Sequence, residues 1–131
     1  MYDDLVAAYP DVYPLIDEIA KSDFVSFEVD SDSQTLLDKQ LMRLQMVRSC
    51  ARVLSFKSRI LAAKGQPDEA SIASLKVFSI CRAVANHPTM VAHLVREASR
   101  GIAIFSLYDI VSNHELSDDS RDRLNLSLIH I

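Results

Sequence analysis

His93 and Glu97 lie one helical turn apart and are the pair in this chain most similar to metal ligands or to an acid and a base. Residues i and i+4 share a helical face, so both side chains could reach one ion, with His87 or His114 as a further ligand. The sequence contains neither H-E-x-x-H nor C-x-x-C, and two ligands do not make a zinc site. The spacing therefore predicts a surface pair, hydrogen bonded or paired with Arg100, and no metal.

Two other patterns that could do chemistry fail on their spacing or setting. Residues 30–32 read Asp-Ser-Asp and begin like a calcium loop, but Thr35 stands where the loop needs glycine and Leu41 where it needs glutamate. Cys50 and Cys81 fall inside predicted helices, where cysteine is more often a small buried apolar side chain than a nucleophile. The sequence thus predicts neither a calcium site nor a reactive thiol.

The chain has only two glycines, Gly65 and Gly101. A dinucleotide-binding turn, a P-loop and a nucleophile elbow each need glycines close together, so the sequence excludes all three motifs. No serine, histidine and acid are spaced as a catalytic triad either, although a spatial triad is open to any fold. We therefore expect a non-catalytic protein without a cofactor. The alternative is an enzyme with a site between helices near His93 and Glu97.

Arginines offer a more promising surface. Arg48, Arg52 and Arg59 fall within about 40° of one another when each helical residue turns by about 100°. They belong to a stretch, residues 39–64, that holds seven bases and no acid. This edge is the predicted recognition strip for an acidic protein partner. The alternative reading is a binder of anionic ligands or nucleic acid, although the net charge of -4 and the absence of tryptophan argue against nucleic acid.

Charge is distributed unevenly along the sequence. Residues 1–33 hold nine acids against Lys21 alone, whereas the rest of the chain is basic. One expectation is therefore that the acidic N-terminal segment folds back on residues 39–64. The N-terminus lacks the basic and apolar regions of a signal peptide, and no stretch is long and apolar enough to cross a membrane. These features predict a soluble chain, cytoplasmic by default.

The residues that end and begin helices divide the chain into an all-α series. Gly65 is the expected stop of a long helix, Pro67 the expected start of the next, and Ser117 the cap of the last. The predicted helices cover about residues 3–9, 12–21, 34–64 and 67–86, a fifth that follows His87-Pro88 and ends near 112, and a sixth after Ser117. Residues 25–29 alternate in polarity and are predicted to be an extended linker. Together these elements predict one domain, 1–131, with three long helices.

The long helix 34–64 carries apolar residues on two opposite faces, so we expect neighbours on both. One stripe contains Leu37, Leu44, Val47, Ala51, Leu54 and Leu61. The other contains Met42, Met46, Val53, Phe56 and Ile60. On helix 67–86 the core stripe is predicted to be Ala70, Ala73, Val77, Ile80 and Val84.

The fifth helix has a long apolar stripe that we expect to be its core face. The stripe consists of Met90, Val91, Leu94, Ala98, Gly101, Ile102, Phe105 and Tyr108. Gly101 would let another helix come close there. The later half of this helix is apolar all round, and the sixth helix is the expected cover. Apolar surface left over on these two helices predicts self-association or further repeats.

The turn at residues 63–70, Ala-Lys-Gly-Gln-Pro-Asp-Glu-Ala, resembles the G-x-x-x-E-A hairpin turn of tetratricopeptide repeats. In that family glycine turns the chain and the alanine lets two antiparallel helices approach. Val77 and Ser74 depart from the family pattern, since alanine and a bulky residue are usual there. The whole chain is also similar to a group of uncharacterised bacterial proteins with an extended aromatic stretch like residues 24–29 and an H-P-T-x-V-x-x-L-V segment like residues 87–95.

The resemblance implies an all-α fold of antiparallel helical hairpins, arranged as a tetratricopeptide-like bundle or short solenoid. It supplies no known activity. With the absence of catalytic motifs, it favours a protein-interaction or scaffold module, with a protein partner or a second copy of the chain as the binding partner.

Overall fold

The structure, a computed structural model, describes residue 7 and residues 10–21, 33–85 and 89–129, except for the side chains of residues 33–40 and 128. The described chain forms five helices and no strand, which confirms the all-α prediction. The five helices are α1 (Val12–Lys21), α2 (Ser33–Ala63), α3 (Pro67–Ala83), α4 (Met90–Asn113) and α5 (Asp118–Ile129). The predicted linker at 25–29 and nearly all of the predicted helix at 3–9 lie outside the described residues.

The turn between α2 and α3 forms as its sequence predicts. Gly65 has a φ of 77°, in the left-handed region that glycine occupies freely. The N–H of Gln66 donates to the carbonyl of Leu61 at 2.9 Å and that of Gly65 to the carbonyl of Ala62 at 3.0 Å. These two bonds form a Schellman motif that satisfies carbonyls at the end of α2. Pro67 then occupies the first turn of α3, so the chain reverses into an antiparallel hairpin.

The centre of the bundle is α3, which packs against each of the other four helices. Its predicted core stripe is confirmed, because all five residues are buried: Ala70, Ala73, Val77, Ile80 and Val84. Several of these side chains, and the serines between them, are small. Small side chains let neighbouring helices approach α3 from more than one side, which explains its central position.

The expectation that α2 is covered on both faces is wrong for most of the second stripe, although Val53 of that stripe packs against the core. Leu44, Val47, Ala51 and Leu54 of the first stripe are buried. In the second stripe, Met42 and Met46 are 66% and 62% exposed, and Phe56 is also exposed. The reason is that α3, not α2, takes the central place, and α2 packs chiefly against α3 and α4.

The predicted core face of α4 is also wrong, since most of that stripe points to solvent. The buried residues of α4 are Ala92, Ser99, Ala103, Ser106, Leu107 and Ile110. Most of them are small, so the backbones of α2 and α3 can approach this side of α4 closely. Gly101, expected at a close helix contact, lies instead on the exposed side, and a Cβ placed there would meet nothing within 4 Å.

The last helix, α5, packs chiefly against α3 and does not cover the apolar half of α4 as expected. Its start is held by Asp68 of α3, whose Oδ1 accepts the Ser117 backbone N–H at 3.0 Å. Ser117 is the predicted cap, and its Oγ accepts the N–H of Ser120 at 3.3 Å. Leu124 is buried in the core. These attachments draw α5 along α3 and leave a groove between α5 and α4.

Candidate interaction surfaces

The three arginines of the predicted recognition strip differ in their surroundings. Arg52 and Arg59 are exposed, whereas Arg48 is half-buried. The Nε of Arg48 is buried and has no hydrogen-bond partner in the described chain. The three side chains therefore do not form a uniform exposed strip, and their role in binding stays a prediction.

The basic stretch of α2 meets the N-terminal part of the chain through an aromatic ring. Lys57 Nζ lies 4.2 Å from the centroid of the Tyr13 ring in α1, a cation–π contact. One acid–base link from α1 goes to α3, where Asp17 accepts from Lys76 at 2.6 Å. Residues 1–6 and 22–32, which carry most of the N-terminal acids, lie outside the described residues.

The side chains of His93 and Glu97 are hydrogen bonded to arginines. Glu97 Oε1 accepts from Arg96 Nε and from Arg100 Nη1, each at 3.1 Å, so the predicted pairing with Arg100 is confirmed. The guanidinium of Arg100, with that of Arg96, holds the pKa of Glu97 below its ordinary value. Arg96 Nη2 donates to His93 Nδ1 at 2.9 Å. These guanidinium groups repel a metal cation, and the described residues contain no cluster of three possible ligands.

Both cysteine thiols are held in the protonated form. Burial raises the pKa of Cys81 to about 11, and burial also raises that of Cys50. Because the thiolate is the nucleophile, neither residue is activated near neutral pH. Cys81 is buried, as predicted for a packing residue, and its Sγ lies 3.7 Å from the carbonyl oxygen of Arg96.

Exposed apolar residues of α4 form a regular stripe, which we call the α4 seam. It consists of Val91, Leu94, Ala98, Gly101, Phe105 and Tyr108, all exposed. Leu94 is 61% exposed, and Phe105 and Tyr108 are each 71% exposed. The residues are spaced alternately by three and four, which is the heptad spacing of a coiled-coil contact. The seam therefore has the geometry of a helix–helix interface with no helix of the described chain on it.

Beside the seam, an apolar groove of about 550 Å³ runs between α4 and α5. Its walls include Ile104, Leu107 and Val111 from α4 and Leu124 from α5. Tyr108 belongs to both the groove and the seam. The groove therefore extends the apolar surface around one side of α4.

A second groove, of about 720 Å³, lies between α3, α4 and the end of α5, and we call it the cationic groove. Its described lining includes five basic residues and no acid: Lys76, Arg82, Arg96, Arg100 and Arg123. Sequence reasoning missed this site because its bases come from three helices and show no spacing along the chain. The packing of α5 against α3 brings them together.

The interior contains a polar cluster that sequence reasoning also missed. Ser74 Oγ lies 2.9 Å from Ser58 Oγ and 3.0 Å from Ser106 Oγ, and Ser106 Oγ lies 3.3 Å from Ser58 Oγ. Ser58 donates to the Ala70 carbonyl at 2.7 Å. All three are buried, one each on α2, α3 and α4. The signal was available, because each serine occupies a core position at helical spacing among apolar residues.

Comparison with known protein families, with curated proteins and with solved structures gives no significant match to this chain. In the described part of the chain, no helix has both the length and the apolar character needed to span a membrane.

Proposed function

We propose that this protein is a non-catalytic protein-interaction module that self-associates through the α4 seam. The observation that carries the proposal is the exposure of a regular heptad stripe with two large aromatic side chains. Proteins that act as monomers rarely expose a contiguous apolar stripe of this kind. An unpaired seam on a well-packed helix favours a partner helix as its occupant.

A second copy of α4, running antiparallel, fits this seam. The seam is nearly symmetric about the midpoint between residues 99 and 100. In an antiparallel pair with its two-fold axis there, Ala98 faces Gly101 of the other copy, Leu94 faces Phe105, and Val91 faces Tyr108. The small residues at the centre allow the two helices to approach, and large side chains fill the space on either side. Such a self-complementary patch is what a two-fold dimer requires.

The non-catalytic part of the proposal is supported by the chemical state of the polar groups. Burial keeps the two thiols protonated, and Glu97 is engaged by two arginines. Ser58 donates a hydrogen bond to a backbone carbonyl, and the three clustered serines otherwise bond to one another's hydroxyls. The tetratricopeptide-like arrangement is part of the same proposal. It is supported by the Gly65 turn and by Ala70, which is fully buried beside α2.

Self-association is tested by placing a charge in the α4 seam at a large side chain that would contact the second copy. Phe105→Glu would desolvate a carboxylate in the dimer, so we expect the dissociation constant to rise roughly 30-fold or more. Sedimentation equilibrium of the full chain would then give a two-chain mass for wild type and a one-chain mass for the variant. The matched control is Phe56→Glu, which changes an exposed aromatic residue of α2 outside the seam. This control should keep the two-chain mass.

Two results would overturn the proposal. One is a single-chain mass for the wild-type protein at high concentration. The other is equal dissociation of Phe105→Glu and Phe56→Glu, which would move the contact away from the α4 seam. Circular dichroism melting of each variant would show that the helices remain folded.

A further inference from the structure

The cationic groove has the composition of a ligand site, and none of its lining residues belongs to the α4 seam. The carboxylates that bond to its bases, Asp17, Glu97 and Asp119, lie outside the lining. The five bases of the lining outnumber these three carboxylates, so a bound anion would meet a surface with an excess of positive charge. Its volume of about 720 Å³ is in the range of small-molecule sites.

The guanidinium group of Arg96 is fixed before any ligand arrives. Its Nε donates to Glu97 at 3.1 Å, its Nη2 to His93 at 2.9 Å and its Nη1 to the Ala85 carbonyl at 3.5 Å. Arg100 is held against the same Glu97 oxygen, so the two guanidinium groups lie close together. Both side chains are 22% exposed, so their charges are partly shielded from water. Fixed, partly desolvated guanidinium groups are well suited to carboxylate or phosphate oxygens.

The other part of the lining is apolar. Ile72, Leu75 and Phe78 of α3 face the groove, and Leu126 of α5 contributes from the opposite side. Leu126 is exposed although it is a large apolar residue, so an apolar ligand would remove its side chain from water. A bare inorganic anion would use the bases and leave this surface uncovered.

We propose that the cationic groove binds a small amphipathic anion, with a carboxylate or phosphate head on the arginines and an apolar body on Ile72, Leu75 and Leu126. Binding is noncovalent, because the one thiol in the lining, Cys81, is protonated. The site is separate from the α4 seam, and all of its described lining comes from one copy of the chain.

Isothermal titration calorimetry of the full chain with four probes tests the two halves of the site. Hexyl phosphate and heptanoate each carry an oxyanion and an apolar chain, and the tighter of the two identifies the head group. Inorganic phosphate lacks the chain and 1-hexanol lacks the charge. Inorganic phosphate should bind at least roughly tenfold more weakly, because burial of about two methylene groups already gives that factor. 1-Hexanol should also bind at least roughly tenfold more weakly, because it cannot form the charged hydrogen bonds to the arginines.

Two groove variants separate the head from the body of the ligand. Arg82→Gln removes one exposed cation that hydrogen-bonds to Ser79 at 3.4 Å, so the fold should persist. It should weaken binding of the amphipathic anions roughly tenfold, as expected for loss of a charged hydrogen bond. Leu126→Asn should reduce the preference for hexyl phosphate over inorganic phosphate and leave binding of inorganic phosphate unchanged.

Arg52→Gln and Arg59→Gln are the matched controls, since each removes one exposed arginine of α2 outside the groove. Binding within about twofold of wild type in these controls, with loss in Arg82→Gln, supports the site. Equal loss in groove and control variants would overturn it, because general charge attraction would then be the cause. Lack of saturable binding by both amphipathic anions, or equal affinity for hexyl phosphate and inorganic phosphate, would also overturn it. Phe105→Glu should leave these affinities unchanged, which separates this test from that of self-association.

Discussion

The two faces of α4 differ in that the more apolar face is exposed, although hydrophobicity alone predicts that this face is buried. The buried face carries small and polar residues, among them Ser99, Ala103 and Ser106, whereas the exposed face carries Leu94, Phe105 and Tyr108. The comparison shows that size decides which side of this helix enters the bundle. Small side chains let three helices approach closely, and most of the large ones, apart from Leu107 and Ile110, remain available for another molecule.

Hydrogen bonds explain why the polar face tolerates burial. One consistent assignment of the three protons lets Ser74 donate to Ser106, Ser106 to Ser58, and Ser58 to the Ala70 carbonyl. Every hydroxyl then donates once, so the penalty of taking a polar group out of water is largely offset. The cluster joins α2, α3 and α4 at positions where leucine would force them apart.

The largest expected change in the free energy of unfolding comes from a pair of reciprocal substitutions at two adjacent residues, Phe105 and Ser106. Ser106→Phe puts a bulky ring where the side chain is 1% exposed, so it should lower the free energy of unfolding by roughly 3 kcal/mol. Phe105→Ser should change it by no more than about 0.5 kcal/mol, as for other surface substitutions. Urea unfolding measures both.

Both substitutions are best made in a Leu94→Glu background, which removes the proposed self-association from the measurement. Circular dichroism would check that each protein is folded before urea is added. A loss for Phe105→Ser as large as that for Ser106→Phe would contradict the assignment of the two faces.

The next largest expected effect is an increase in the free energy of unfolding. Gly101 lies inside α4 on the exposed face, and a Cβ there would meet nothing within 4 Å. Gly101→Ala should therefore raise the free energy of unfolding of the single chain by about 1 kcal/mol, because glycine is a poor helix former. Thermal and urea unfolding at a concentration where the chain is monomeric would measure it. Ala98→Gly is the reverse control and should destabilise by a similar amount. Destabilisation by Gly101→Ala would mean that this face is packed within the chain.

The smallest expected effect concerns the attachment of α5, outside both faces of α4. The backbone N–H of Ser117, with the hydroxyls of Ser120 and Ser117, lowers the pKa of Asp68 below 3.8. The pKa of Asp68 is lower in the folded chain than in the unfolded chain. The ionised carboxylate therefore stabilises the fold above pH 3.8, and this stabilisation is lost as the pH falls through the folded pKa. Asp68→Asn should thus be less stable than wild type near neutral pH, and the difference should shrink on acidification. Urea unfolding at about pH 7 and about pH 3 measures this difference. A difference that does not change with pH would exclude the carboxylate as its source.

Local signals in the sequence predicted much of the fold. Gly65, Pro67 and Ser117 act through their own backbone or side-chain preferences, so the C-terminal end of α2 and the starts of α3 and α5 follow from a few neighbouring residues. The core stripe of α3 also follows from periodicity, since its apolar residues lie on one face.

The interaction surfaces could not be predicted in the same way. The apolar stripe of α4 was visible in the sequence, but its side of the bundle depends on which helices pack closest. That choice rests on serines such as Ser74 and Ser106, which a count of hydrophobic residues ignores. The cationic groove joins Arg82, Arg100 and Arg123 from three helices, and only the path of α5 places them together.

The position of α5 leads us to expect that this helix opens separately from the rest of the bundle. It is tied to α3 through Asp68 and Leu124, whereas the serine cluster that joins α2, α3 and α4 contains no residue of α5. Units that open separately do so with a smaller free energy than the whole domain. Because Arg123 and Leu126 form one wall of the cationic groove, the groove is complete only while α5 stays in place. A ligand that contacts this wall would therefore stabilise the attachment of α5.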